Sequence, residues 1–139
     1  MVRVLVVEDN PDVCDILIRT LRRAGHMVQS ASNGIDAVIL AYEHRPDIIL
    51  MDLVMPLMDG LAATRRLKAD PQTAQIPVLA LTGRGLADEA RARAAGCDGF
   101  ITKPFGREDL LALVLAFAAR GNPADADDQQ EVRSLCRGV

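Results

Sequence analysis

The chain has 139 residues, half of them hydrophobic and a quarter charged, and its net charge is only −3. That fits one folded domain with a sizeable core. Aromatics at 3 % and the lack of any concentrated Lys/Arg run argue against nucleic-acid binding, which needs stacking platforms or a basic stripe. With no 18-residue apolar segment and no charged leader ahead of a long apolar stretch, neither a membrane span nor a signal peptide is expected. Cys14, Cys97 and Cys136 are odd in number, far apart and without a CxxC pair. They read as free thiols of a cytoplasmic protein rather than as metal or disulfide partners.

Val2 to Val7 in "VRVLVVEDN" form a β-branched run, read as a buried strand that ends in Glu8-Asp9. Asn10-Pro11-Asp12 then open a helix, with proline near the first turn where its missing N–H costs little. Val13, Ile16, Leu17, Leu21 and Ala24 recur at helical spacing until Gly25. "HMVQSAS" is shorter and more polar, which suits a sheet edge. After a turn at Asn33-Gly34, "IDAVILAYEHR" reads as a second helix ending before Pro46.

Ile48 to Met51 are four apolar residues in a row, as in a strand covered on both faces, and the run stops at Asp52. Met55-Pro56 and Asp59-Gly60 shape the following loop and start "LAATRRLKAD", a third helix that stops before Pro71. "IPVLALT" is a fourth strand ending at Thr82, and "ADEARARAAG" a small alanine-rich helix. "GFITK" is a fifth strand ending at Lys103, and "REDLLALVLAFAAR" a fifth helix stopped by Gly121-Asn122-Pro123. Five βα units in strict alternation predict an α/β fold, a doubly wound five-stranded parallel sheet of flavodoxin-like order 2-1-3-4-5. Residues 1–120 form that domain. Residues 121–139 are an acidic C-terminal tail, either mobile or a short docked helix carrying Val132, Leu135 and Cys136.

Open parallel sheets bind ligands at the carboxyl ends of their strands, where the strand order reverses. Here that point lies between strands one and three, so Glu8, Asp9 and Asp52 converge from positions more than forty residues apart. Carboxylates brought to about 4–5 Å repel by a few kcal/mol per pair at an effective dielectric near 20. A hard divalent cation with oxygen ligands, Mg²⁺ above all, answers that need. Thr82 adds a hydroxyl donor and Lys103 an ammonium at the next two strand ends. Carboxylates, a cation, a hydroxyl and a lysine together describe phosphoryl transfer, with Asp52 as nucleophile forming an acyl phosphate.

Residues 2–119 resemble the receiver domain of two-component response regulators. "VVEDN", "ILMDLVMPLMDG", "LT" and "ITKPF" match its motifs in order and spacing. The resemblance implies that Asp52 accepts phosphate from a histidine kinase or a histidine phosphotransfer protein. It implies Asp9, Asp52 and the Val54 backbone carbonyl as Mg²⁺ ligands, with Glu8 acting through water. Thr82 and Lys103 become phosphate contacts, Phe100 the switch aromatic that moves with Thr82, and the Lys103–Pro104 peptide cis. From the residues alone Phe100 reads equally as a core aromatic.

The expected role is a stand-alone regulator acting by protein–protein contact, because no output module follows the fifth helix. A phosphorelay shuttle is the close variant. The face of helix four, strand five and helix five, apolar from Leu110 to Ala119, is the expected contact for a partner or homodimer, unless the tail covers it. The alternative is a metal-dependent phosphohydrolase with an aspartyl nucleophile. Such enzymes place a second acid two residues on, where this chain has Val54. A flavodoxin-like cofactor binder lacks its phosphate loop here. Gly83 leaves the site open, while Val54 and Arg84 offer no acid or amide to orient water, so slow loss of phosphate and no substrate turnover are expected.

Overall fold

The structure is a computed structural model and describes residues 1–55, 57–83 and 85–119. Pro56, Arg84 and the tail at 121–139, for which the sequence suggests a loop, a site-flanking cation and a docked or mobile segment, lie outside the described residues.

Among the described residues five strands and five helices alternate. They are β1 (Arg3–Val7), α1 (Pro11–Arg23), β2 (Met27–Ala31), α2 (Gly34–His44) and β3 (Ile48–Asp52), then α3 (Gly60–Ala69), β4 (Val78–Thr82), α4 (Leu86–Ala95), β5 (Gly99–Thr102) and α5 (Arg107–Ala118). All pairings are parallel and the order is β2-β1-β3-β4-β5, as the alternation requires. β3 and β4 are buried at every position, whereas β2 is mostly exposed at its edge.

Side chains alternate across each strand. On one face Val4, Val6, Ile48 and Leu50 pack against Leu17 and Leu21 of α1 and Leu113 and Phe117 of α5. On the other, Leu5, Val7, Ile49 and Met51 pack against Ala37 and Ala41 of α2 and Ala63 and Leu67 of α3. This is why Ile48 to Met51 is apolar without interruption: both faces of the strand are covered.

Local chemistry sets where the helices begin. The Asn10 side chain accepts from the backbone N–H of Asp12 at 2.9 Å, just ahead of Pro11. Asn33 is likewise a cap, accepting from Asp36 N–H at 2.9 Å, so Gly34 is the first residue of α2 rather than part of a turn. Asp59 caps α3 through Ala62 N–H at 2.8 Å. The glycines at 34 and 60 answer to space: a Cβ at Gly34 would meet the Met58 carbonyl oxygen at 2.2 Å. Gly34 N–H donates to that same oxygen at 2.8 Å, and Gly60 N–H to Leu53 O at 3.1 Å. Those two contacts clamp the β3–α3 loop beside the carboxyl end of β3.

Candidate functional site

Glu8 and Asp9 are the first two residues past β1, Asp52 is the last of β3, Thr82 the last of β4, and Lys103 the first past β5. The sequence places Glu8, Asp9 and Lys103 inside their strands. β1 stops two residues short of Asp9 and β5 one short of Lys103, which frees these side chains to turn over the sheet edge. Glu8 remains tied down by its N–H donating to Ala31 O at 3.0 Å, and Lys103 by its N–H donating to Thr82 O at 2.6 Å.

One carboxylate oxygen from each of Glu8, Asp9 and Asp52 lies within 4.8 Å of the other two. The ammonium of Lys103 stands 3.5 Å from Glu8 Oε1 and 3.8 Å from Asp52 Oδ1. At 4.8 Å and an effective dielectric near 20, each carboxylate pair repels by roughly 3–4 kcal/mol, while each lysine contact returns about 4–5 kcal/mol. Three repulsions face two attractions, so the cluster is short of positive charge. The consequence falls on Glu8, which is 3 % exposed. Burial first, then the hydrogen bond and like charge of Asp52, push its carboxyl up to about 8, with Lys103 pulling the other way.

Two buried oxygens at this edge, Glu8 Oε2 and Thr82 Oγ1, have no hydrogen-bond partner among the described residues. Buried polar atoms left so are uncommon and mark a place where a further group belongs. Clustered carboxylates, all hard oxygen donors, suit a small divalent cation that keeps several waters. Thr82 sits next to the site in the neighbouring strand, since Asp52 pairs in register with Leu81.

The remaining expected residues take different stations. Val54 donates its backbone N–H to Asp52 Oδ1 at 3.4 Å and points its side chain outward, 71 % exposed. Phe100 is buried in a separate cluster with Leu53, Leu61 and Ala80, and the Arg93 guanidinium lies 5.7 Å from its ring centroid. The Lys103–Pro104 peptide is cis. Gly83 is exposed, and nothing lies within 4 Å of where its Cβ would be. Gly60 carries more than the loop-shaping part that the sequence suggests, because α3 begins directly against Asp52. Arg93 was not legible as a neighbour of Phe100, since seven residues separate them in sequence.

Three carboxylates and a lysine at the switch point of a doubly wound sheet form a site suited to a divalent cation and an anionic group, and comparison with known proteins makes the class specific. The family model of the response regulator receiver domain matches residues 4–115. Protein PilH of Pseudomonas aeruginosa is 39 % identical over 120 residues, covering 86 % of this chain and 99 % of that protein. The DNA-binding dual master transcriptional regulator RpaA of Synechocystis is 40 % identical over 121 residues, and this chain spans only 50 % of its length. The receiver domain of sensor histidine kinase PA1611 from Pseudomonas aeruginosa superposes with a TM-score of 0.81 at 34 % identity, covering 85 % of this chain and 98 % of that one. That structure holds a magnesium ion in its active-site cleft.

The chain belongs to the response regulator receiver domain family of bacterial two-component systems. Phosphorylation and magnesium binding are typical of that family, whose members are signalling proteins rather than dedicated enzymes. They engage histidine kinases or phosphotransfer proteins and downstream targets. Among the described residues no helix is long and apolar enough to cross a membrane.

Proposed function

We propose that this chain accepts a phosphoryl group on Asp52 from a histidine kinase or histidine phosphotransfer protein and signals by phosphorylation-dependent contact with another protein. The carboxylate cluster carries the reading: Asp52 stands within 4.8 Å of Glu8 and Asp9 and 3.8 Å from the Lys103 ammonium. In the transfer, an Asp52 carboxylate oxygen attacks phosphorus in line with the donor nitrogen. The P–N bond breaks, its electron pair stays on the donor imidazole, and an acyl phosphate forms.

Lys103 balances charge on one transferred oxygen, and the unpartnered Thr82 hydroxyl donates to another. Glu8, Asp9 and Asp52, with the Val54 carbonyl, would hold Mg²⁺, which when bound supplies the positive charge that Lys103 alone does not. Receiver domains exist in at least two conformers, and the phosphate, with nearly two negative charges, favours one of them. Movement of Thr82 toward the phosphate, with Phe100 filling the vacated space, would reshape the α4–β5–α5 face for a partner or a second copy. PilH, matched across 99 % of its length, is a relative of this extent that supports the reading of action through protein contact.

The outward valine at 54 disfavours the phosphohydrolase reading, because no acid stands there to activate water. Incubation with a small acyl phosphate and Mg²⁺ tests the assignment by mass spectrometry. One phosphate per chain, absent from Asp52→Asn and without Mg²⁺, is the expected result; labelling of Asp52→Asn, or multiple turnover of phosphomonoesters, overturns it. The phosphorylated chain is expected to lose its phosphate slowly when no partner is present.

A further inference from the structure

Helix α4 buries little of its own. Among the described residues its buried apolar side chains are Ala92 and Ala95, and its N-terminus at Gly85 has no side-chain cap. Two alanines cover little area, so the layer between this helix and the sheet is filled from elsewhere, by Phe100 of β5 with Leu53 and Leu61. Phe100 pairs in register with Ala80, and Thr82 lies two residues further along β4, on the same face. The ring and the buried Thr82 hydroxyl, unpartnered among the described residues, therefore share the layer beneath α4.

One side chain closes over the ring from the solvent side. The Arg93 guanidinium stands 5.7 Å from the Phe100 ring centroid, within range of a cation–π contact. Arg93 is 57 % exposed, and a long side chain so placed would sample many rotamers if nothing held it. Glu89, one turn earlier on α4, holds it: its Oε1 accepts from Arg93 Nη2 at 2.7 Å. An acid four residues ahead of a base is the favourable order on a helix. An exposed pair of this kind adds little stability. What it adds here is aim, because one guanidinium is fixed at once to Glu89 and to the ring.

We propose that Arg93 is a positioning residue for Phe100: held by Glu89, it keeps the ring packed beneath α4 and so raises the fraction of chains ready to accept phosphate, taking Asp52 as acceptor and Phe100 as the switch aromatic as proposed above. The ring cannot leave its layer without breaking the Arg93 contact. By linkage, a phosphate that favours the buried ring is in turn favoured by whatever holds the ring there. A cation–π contact at an exposed site shifts such an equilibrium about two- to fivefold.

Fluorine NMR of the full chain labelled with fluorophenylalanine reads the ring directly. The chain has three phenylalanines, and loss of one signal in Phe100→Leu assigns Phe100. Arg93→Met keeps the aliphatic stem and removes the cation, Arg93→Lys keeps a cation, and Glu89→Gln removes the restraint. In Arg93→Met the Phe100 signal is expected to become more accessible to a soluble paramagnetic probe, and labelling of Asp52 by a small acyl phosphate with Mg²⁺ to slow about two- to fivefold. Glu89→Gln should move both readouts the same way by less, and Arg93→Lys should stay closer to the unmutated chain. A merely helix-stabilising arginine would lower the urea midpoint and leave the Phe100 signal where it was, which overturns the proposal. A moved signal with an unchanged labelling rate overturns it too. If the unmutated chain is not labelled at all, Asp52 as acceptor falls first and the proposal falls with it, an outcome distinct from a labelled chain whose ring ignores Arg93.

Discussion

A Cβ placed on Gly60 would lie 2.1 Å from the carbonyl oxygen of Asp52. The residue that starts α3 thus touches the backbone of Asp52, and only a hydrogen fits between them. Gly60→Ala must push the two apart, at a cost of about 1–3 kcal/mol in overpacking. The same shift moves Asp52 relative to Glu8 and Lys103. The expected outcome is a lower urea midpoint together with a slower rate of phosphorylation by a small acyl phosphate.

Glu8 should trade stability against metal affinity. Its buried carboxylate lacks a partner on Oε2 and faces two further acids. Folding of the metal-free chain at neutral pH forces a proton onto this buried carboxyl, which Glu8→Gln replaces with a side chain that is neutral already, so the metal-free protein is expected to gain about 1 kcal/mol. Affinity for Mg²⁺ should fall about tenfold or more. Thermal unfolding with and without Mg²⁺ reads both effects: the variant starts higher and gains less from added metal.

At the opposite edge of the sheet, Lys68 holds four segments together. Its ammonium donates to Ala74 O at 3.0 Å, Ile76 O at 2.8 Å and Asp98 Oδ2 at 2.8 Å, and Asp98 Oδ2 also accepts from Val78 N–H at 2.8 Å. The pair is mostly buried, with 19 % and 25 % of the side chains exposed. Lys68→Met keeps the aliphatic stem but removes three charge-assisted bonds, which should cost about 2–4 kcal/mol. Phosphorylation of Asp52 should proceed at the wild-type rate under conditions where the variant is folded. Chemical denaturation and a phosphorylation time course check the two halves.

His26 gives the fold a dependence on pH that is separate from the carboxylate site. Its Nδ1 accepts the Val2 backbone N–H at 3.1 Å, which requires the neutral ring. Burial first, and then the positive N-terminal amino group, lower its pKa from 6.5. The unfolded chain therefore takes up this proton at a higher pH than the native one. Stability from this residue is fully present above about pH 6.5 and is lost as the pH falls through the lowered native value. His26→Asn, which offers an amide oxygen that cannot be protonated, should flatten this part of the profile measured by urea unfolding.

Much of this molecule could be read from the chain. The alternation of apolar runs with amphipathic stretches specifies five βα units, and parallel strands leave few topologies open. Asp52 and Thr82 could be placed because each ends an apolar run that a buried strand explains. Helix starts at Asn10 and Asp59 follow from side chains that accept backbone N–H groups. Asn33-Gly34 was less legible, since the same pair serves a turn or a capped helix; the nearby Met58 carbonyl decides for the helix.

What the sequence determined by itself is whatever depends on near neighbours: periodicity, caps, strand ends, and the residue types at those ends. Only the tertiary structure decided the quantities that depend on distance between remote segments. Glu8 is an ordinary acid in sequence, and its shifted carboxyl comes from burial and from an aspartate forty-four positions away. The reach of Lys103 to both carboxylates, the 2.1 Å clearance at Gly60 and the knot around Lys68 are of the same kind. Electrostatics and steric exclusion act through space, and local sequence does not carry the coordinates on which they depend.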